Sequence, residues 1–184
     1  MQRFARRVPA MTEPTTSKDT RMALARSKIP SPVGELTLVA SEAGLVAVLW
    51  ENDDPARVKL GDVQDEADHP VLARTAAQLA EYFAGERRVF DLPLDFRGTD
   101  FQKSVWAQLL TIPFGETRSY GEIARNLGAP TASRAVGAAN GRNPISIIAP
   151  CHRVVGASGS LTGFAGGLES KAFLLQLEGP KLLF

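Results

Sequence analysis

One cysteine and two histidines are all that 184 residues contain of the side chains that most often carry metals or covalent chemistry. The single cysteine, Cys151, excludes an internal disulfide framework. Together with His69 and His152 it is too small a set for a structural zinc site, which takes four Cys or His ligands. Long apolar runs are also missing: none approaches the roughly 20 residues that span a bilayer, and no cleavable signal segment is visible. Charge of one sign is not in excess either, with a formal net charge of +1. The expectation is a soluble globular chain of one domain or two small ones, with no membrane partner. A free thiol suits a reducing cytosolic or nuclear compartment.

The near-neutral total conceals an asymmetry. Residues 51–70 carry seven acids against Arg57 and Lys59, whereas residues 101–160 carry six bases (Lys103, Arg118, Arg125, Arg134, Arg142, Arg153) against Glu116 and Glu122. Scattered, these bases form a solvated face; gathered on one surface they would attract a polyanion. The basic start Met1–Arg7 and the polar, unpatterned Thr12–Thr20 read as a disordered tail over residues 1–23, with Met11 and Met22 as alternative starts.

Periodicity divides the rest at about Arg97-Gly98. Glu35–Ala40 alternates as a strand, Leu45–Trp50 reads as its hairpin partner, and an acidic loop follows. Pro70 to Gly85 is helical, with Leu72, Ala76, Leu79 and Phe83 on one face and Gly85 as the stop. Val89 to Phe96 is extended. Residues 24–97 thus form a small α+β unit in which no catalytic cluster is evident. Residues 98–184 are mainly helical. Thr99 and Gln102 form a capping box opening a helix whose face is Phe101, Val105, Trp106, Leu109 and Leu110. Ser119 and Glu122 form a second box, opening a helix that Gly128 closes. Thr131 is placed to cap a third helix, Ala132 to Asn140. Two short helices joined by a tight Gly-containing turn match a helix-turn-helix pattern. The third helix offers mostly small side chains, with Arg134 almost alone as a base reader. Small residues suit close approach to a minor groove or tight packing in a core.

Cys151 follows Pro150, which forces an extended or turned backbone, and the short apolar run Ile145–Ala149. The thiol is therefore held in place. Two readings stay open, a nucleophile and a buried small hydrophobe. His152 offers a base, although adjacent side chains normally point apart, so a bridging water would be needed.

The run Pro150-Cys151-His152-Arg153-Val154, preceded by Arg134-Ala135-Val136-Gly137 and Asn143-Pro144 and followed by Gly166-Gly167-Leu168 and Glu178-Gly179, resembles the O6-alkylguanine-DNA alkyltransferases, the methylated-DNA–protein-cysteine methyltransferase family. The likeness is close over residues 99–180 and looser over 29–97. It implies an α+β fold with a ribonuclease H-like N-terminal domain and a winged helix-turn-helix-like C-terminal domain carrying the cysteine. It also implies direct-reversal repair without a metal or other cofactor. The damaged nucleotide is flipped out through the minor groove and its alkyl group passes irreversibly to Cys151, once per molecule. The implied partner is duplex DNA carrying O6-alkylguanine, with O4-alkylthymine and clustering along DNA left open; the protein is expected to be monomeric and cytoplasmic, nucleoid-associated in a bacterium or nuclear in a eukaryote.

Roles carry over residue by residue. Cys151 attacks, His152 accepts its proton through a water, Glu178 orients His152, Asn143 braces the cysteine turn, and Tyr120 hydrogen-bonds the guanine. Arg134 fills the gap in the base stack, with Thr131, Ser133, Ala135, Gly137 and Asn140 facing DNA. Val154, Phe164, Ala165, Gly166 and Ser146 line the base pocket. Phe164 stands where many members have tyrosine, and Ser146 where others often have proline; both bear on tolerance for bulky O6 groups. Two other functions fit parts of the sequence. A turnover cysteine hydrolase lacks an evident oxyanion site, and a DNA-binding regulator leaves the thiol and Glu178 without a role.

Overall fold

The structure, a computed structural model, describes residues 23–179; the tail expected over residues 1–23 falls outside them except for its last residue. Strands β1 (Leu24–Ile29), β2 (Leu36–Ser41), β3 (Gly44–Trp50) and β4 (Val63–Asp65) form one sheet in the order β3-β2-β1-β4. The hairpin register sets Leu38 opposite Val48, with a bulge at Val39/Ala40. β1 is antiparallel to β2, and β4 adds in parallel on its other side. Neither β1 nor β4 is signalled by a clear alternation: β1 mixes Arg26 and Lys28 into its pattern, and β4 is three residues inside the acidic segment.

Helix α1 (Pro70–Phe83) packs on this sheet. Pro70 sits at its first position, where no amide hydrogen is needed, and His69 caps it by accepting from the Val71 amide at 3.3 Å. The second histidine is thus a helix cap. The buried stripe of α1 differs from the expected one: Leu72, Thr75, Gln78, Leu79 and Tyr82 are buried, whereas Ala76 and Phe83 are half-buried. Val89–Phe96 makes no regular strand; it is tied to the sheet by a single bridge, with the Leu45 amide donating to Pro93 O and the Asp95 amide to Leu45 O.

In the second half, α2 (Asp100–Leu109) and α3 (Tyr120–Asn126) both begin at complete capping boxes, Thr99/Gln102 and Ser119/Glu122. Phe101 and Leu110, expected on the inner face of α2, lie outward, while Val105, Trp106 and Leu109 are buried. Helix α4 (Ser133–Gly141) starts one residue later than expected. Its cap position is Ala132, with no side-chain hydrogen bond, so Thr131 does not cap it. α4 packs against both α2 and α3, which makes α3–α4 the helix pair. A single 3-10 turn, Cys151–Arg153, leads into β6 (Val154–Val155), which pairs in parallel with β5 (Arg118–Ser119); α5 (Gly167–Glu178) is the last element among the described residues. Among the described residues no helix is long and apolar enough to cross a membrane.

The halves share a core. Ile145, Ile147, Ile148, Ala149 and Leu174 pack into the same cluster as Leu36, Leu38, Val48, Leu79 and Tyr82. A second cluster joins α2, α3 and α4 to Cys151 and Val154. The outer edge of β3 takes in the start of the cysteine loop: Val48 bridges Ile145, and its amide donates to Pro144 O at 2.9 Å. An edge strand of one half therefore fixes the cysteine-bearing loop of the other.

Candidate active site

The loop from Asn143 to Cys151 is held from inside. Asn143, fully buried, donates through Nδ2 to Ala149 O at 2.8 Å and accepts from the Ile145 amide at 3.1 Å. Ile147 sits at φ +71°, a left-handed conformation that a β-branched residue adopts only under constraint. From outside, Arg57 donates to Asn143 O at 2.6 Å while ion-pairing with Asp53. Cys151 ends this loop at 4% exposure. Burial pushes its thiol up, against the pull of its hydrogen bond with Asn143 and the charges of Arg57 and Lys171. It rests as a thiol.

His152 is completely buried. Its Nε2 lies 2.7 Å from Glu178 Oε1, while its Nδ1 has no protein partner. Burial pushes the imidazole below its ordinary value, against the opposing pull of Glu178. A neutral ring donating Nε2–H to the carboxylate leaves Nδ1 as the open acceptor. Glu178, which the resemblance implies orients His152, is buried at the end of α5. Burial works against its ionisation, but hydrogen bonds from His152, Arg153 and Tyr82 hold it down to about 2. Arg153 donates to Glu178 through Nε at 2.8 Å and Nη2 at 3.0 Å, and also to Ile112 O. The Tyr82 hydroxyl donates to Oε1 at 2.7 Å. Gly115, at φ +81°, passes so close that a Cβ there would lie 2.9 Å from Glu178 O.

Four members of this cluster were missed from sequence. Tyr82 comes from the half read as having no catalytic cluster; a phenol in a buried helical stripe needs a polar partner, and that was the available signal. Arg153 stands in the cysteine motif and among the six bases of residues 101–160, with no role in the site signalled by either. Lys171 is fully buried, donating to Val154 O at 2.6 Å and Thr162 O at 3.3 Å, and burial pulls its ammonium down. Arg57 lay in an acidic stretch with nothing to mark it.

The β5–β6 pairing sets Tyr120, the first residue of α3, beside the segment after the cysteine; its hydroxyl lies 2.9 Å from Thr162 Oγ1. Arg134, Thr131 and Ala135 are exposed, Ser133 and Gly137 half-buried, and Gly137 faces the Tyr120 ring. Asn140 is buried instead, with Nδ2 3.5 Å from Cys151 O and Oδ1 unpartnered, so it points to the cysteine loop. Val154 and Ser146 are also buried, and Ser146 Oγ accepts from Trp50 Nε1 at 3.2 Å. Phe164 meets Trp50 edge-on at 5.3 Å, with the Lys171 ammonium 5.8 Å from its ring centre. Ala165 and Gly166 lie alongside, Gly166 so close to the Trp50 ring that a Cβ would stand 2.6 Å from it.

Residues 24–96 match the family of the 6-O-methylguanine DNA methyltransferase ribonuclease-like domain, and residues 100–180 that of the 6-O-methylguanine DNA methyltransferase DNA-binding domain. Over 152 residues the chain is 53% identical to the methylated-DNA–protein-cysteine methyltransferase of Mycobacterium tuberculosis, an alignment covering 82% of this chain and 89% of that protein. It is likewise 53% identical over 150 residues to the protein of that name from Methanosarcina acetivorans, covering 81% and 94%. Among solved structures, Mycobacterium tuberculosis OGT in complex with DNA superposes with a TM-score of 0.76 at 50% identity, covering 85% of this chain and 96% of that one.

Proposed function

The chain belongs to the 6-O-methylguanine DNA methyltransferase family, and we infer that it is a methylated-DNA–protein-cysteine methyltransferase that repairs O6-alkylguanine in duplex DNA by transfer to Cys151. The observation that carries the mechanism is the buried, neutral His152, locked through Nε2 to Glu178 with Nδ1 left open, next to the only thiol of the chain.

Burial favours the uncharged forms of both Cys151 and His152, so the resting pair is thiol and imidazole. On reaction the Cys151 proton passes to His152 Nδ1, by way of a water where the side chains diverge, and the sulfur attacks the alkyl carbon in line. A C–S bond forms, the C–O6 bond breaks, and guanine leaves with the bonding pair on O6, its charge stabilised by a hydrogen bond from the Tyr120 hydroxyl; guanine then takes a proton from water as His152 gives up the one it received from Cys151. Glu178, held at about 2, does not take the proton; it stays a carboxylate and stabilises the imidazolium. Lys171 and Arg57 add positive charge that favours the thiolate once it forms.

A thiol at 4% exposure cannot meet a base inside a stacked duplex, so the nucleotide must be flipped out. Exposed Arg134 on α4 enters the vacated space, and the small residues around it allow α4 to approach a narrow groove. The thioether has no good leaving group, so each molecule acts once. Incubation with duplex O6-methylguanine should add one methyl mass per protein, absent in Cys151→Ala; methyl release in excess of protein would overturn the reading. Arg134→Ala should slow repair in duplex more than reaction with free O6-methylguanine, and equal losses would remove Arg134 from the flipping step.

A further inference from the structure

We propose that a basic cleft at the C-terminal end of α4 grips the phosphodiester backbone of the duplex through Lys59 and Arg142, so that the N-terminal half also holds DNA. The proposal rests on the reading that α4 lies against the duplex.

The cleft, about 230 Å³, is walled by both halves: Arg57 and Lys59 from the segment after β3, Arg97 and Gly98 from the connection, Gln102 and Trp106 from α2, and Arg142 at the end of α4. Four bases converge there, and acids answer only two. Asp53 pairs with Arg57, and Asp95 with Arg97. Arg57 is further committed to Asn143 O. Lys59 and Arg142 are exposed and make no ion pair or side-chain hydrogen bond among the described residues. Two unanswered cations over a floor of Val58, Leu60 and Trp106 are placed to meet anionic oxygens from solvent, and neutralising phosphates supplies essentially all of a protein's sequence-independent affinity for duplex DNA.

The cleft continues the surface of α4. Trp106 Nε1 donates to Ala139 O at 2.8 Å, fixing the cleft floor to the last turn of that helix. Arg134 and Arg142, eight residues apart, are separated by about 12 Å along the helix axis. Successive phosphates of one strand lie about 6–7 Å apart, so that distance is roughly two phosphate steps. A strand that passes Arg134 and continues toward the end of α4 therefore comes within reach of Arg142, and Lys59 lines the same cleft. Lys59 is one of only two bases among the acids of residues 51–70, and it lines one cleft with Arg142 at the end of α4.

The test is the affinity of the full chain for an unmodified duplex over a series of salt concentrations. Lys59→Gln and Arg142→Gln should each reduce the magnitude of the log K against log salt slope by about 0.9, and the double variant by about 1.8. At 0.1 M salt each single change then weakens binding about eightfold. Lys28→Gln, which removes a charge paired with Glu35 on the sheet, is the control and should leave the slope unchanged. A wild-type slope in both cleft variants overturns the proposal. An equal loss in Lys28→Gln overturns it too, by showing that net charge and not the cleft is read. Binding of inorganic phosphate or a mononucleotide that those variants abolish, without a change in the duplex slope, would make the cleft a small-anion site. Failure of the parent reading shows elsewhere: no methyl on Cys151 after incubation with duplex O6-methylguanine.

Discussion

In the sheet and α1 the ion pairs lie in water. Arg26–Asp65, Lys28–Glu35 and Arg74–Asp91 all have side chains at least 38% exposed. At the end of α5 the reverse holds: His152 and Glu178 have side chains at most 1% exposed, and Arg153, at 8%, reaches the same carboxylate. Screened pairs contribute little to stability, whereas a buried charge must be answered group by group, and removing one partner strands the other. A chain would gain as much from an apolar plug as from this cluster if stability were the only demand. Its place beside the sole thiol is what the proposed proton transfer calls for. The division between halves is not clean, however, because Tyr82 crosses it and the Arg57–Asp53 pair of the first half is itself nearly buried.

The largest effect should come from breaking the buried cluster on its own side. His152→Ala removes the proposed proton acceptor, a role worth about 10²- to 10⁴-fold in rate. Glu178→Gln should slow transfer comparably and also leave Arg153 buried without its countercharge, costing about 3–5 kcal/mol of stability. The double variant should lose little beyond either single one, because the two residues act as a unit. Single-turnover transfer measured well below each melting temperature checks this. Multiplicative losses would mean two separate roles and dissolve the contrast between a cooperative buried cluster and independent surface pairs.

A smaller effect, from the other half, sharpens the comparison. Tyr82→Phe removes one of the hydrogen bonds that hold Glu178 low, leaving those of His152 and Arg153. Glu178 becomes more basic and pulls harder on the His152 proton. The acid limb of the transfer rate should move to higher pH, with less than about a tenfold change at neutral pH. A melting temperature that drops with no movement of the pH profile would make Tyr82 a packing residue. A loss as large as that of Glu178→Gln would erase the distinction between the halves.

Local structure is legible in this sequence and non-local structure is not. Both capping boxes, the β2–β3 hairpin and the start of α1 are written in residues three or four apart, and the structure has them. β4 exists only because β1 offers it a partner across about 40 residues, so nothing within Val63–Asp65 announces it. Phe101 and Leu110 match the apolar period of α2 yet lie at its margins, and Thr131 is a good cap one residue too early. In the site, Cys151, His152 and Glu178 are marked by motif and spacing. Tyr82, Arg57 and Lys171 are each a single polar residue in an ordinary helix or loop, and only the fold brings them to the cysteine loop.

The smallest and last effect tests the comparison through protons. His152 titrates below its ordinary value in the folded chain because burial disfavours the imidazolium. As pH falls through about 6.5 the unfolded chain takes up a proton that the folded one refuses, so stability declines with falling pH until the folded value is reached. The slope for one proton is at most about 1.4 kcal/mol per pH unit. Glu178 adds a second limb with the same sign. Its folded value of about 2 lies below the unfolded one near 4.3, so its contribution is complete above that range and drains away as pH falls toward 2. His152→Gln, which keeps a donor for Glu178, should remove the first limb and leave the second. Asp65→Asn, on the screened pair with Arg26, should leave both in place. Melting temperatures between pH 8 and pH 3 measure the three curves. If Asp65→Asn flattened the upper limb as much as His152→Gln does, the acid sensitivity would belong to the surface, and the buried cluster would lose its place as the titrating centre of the molecule.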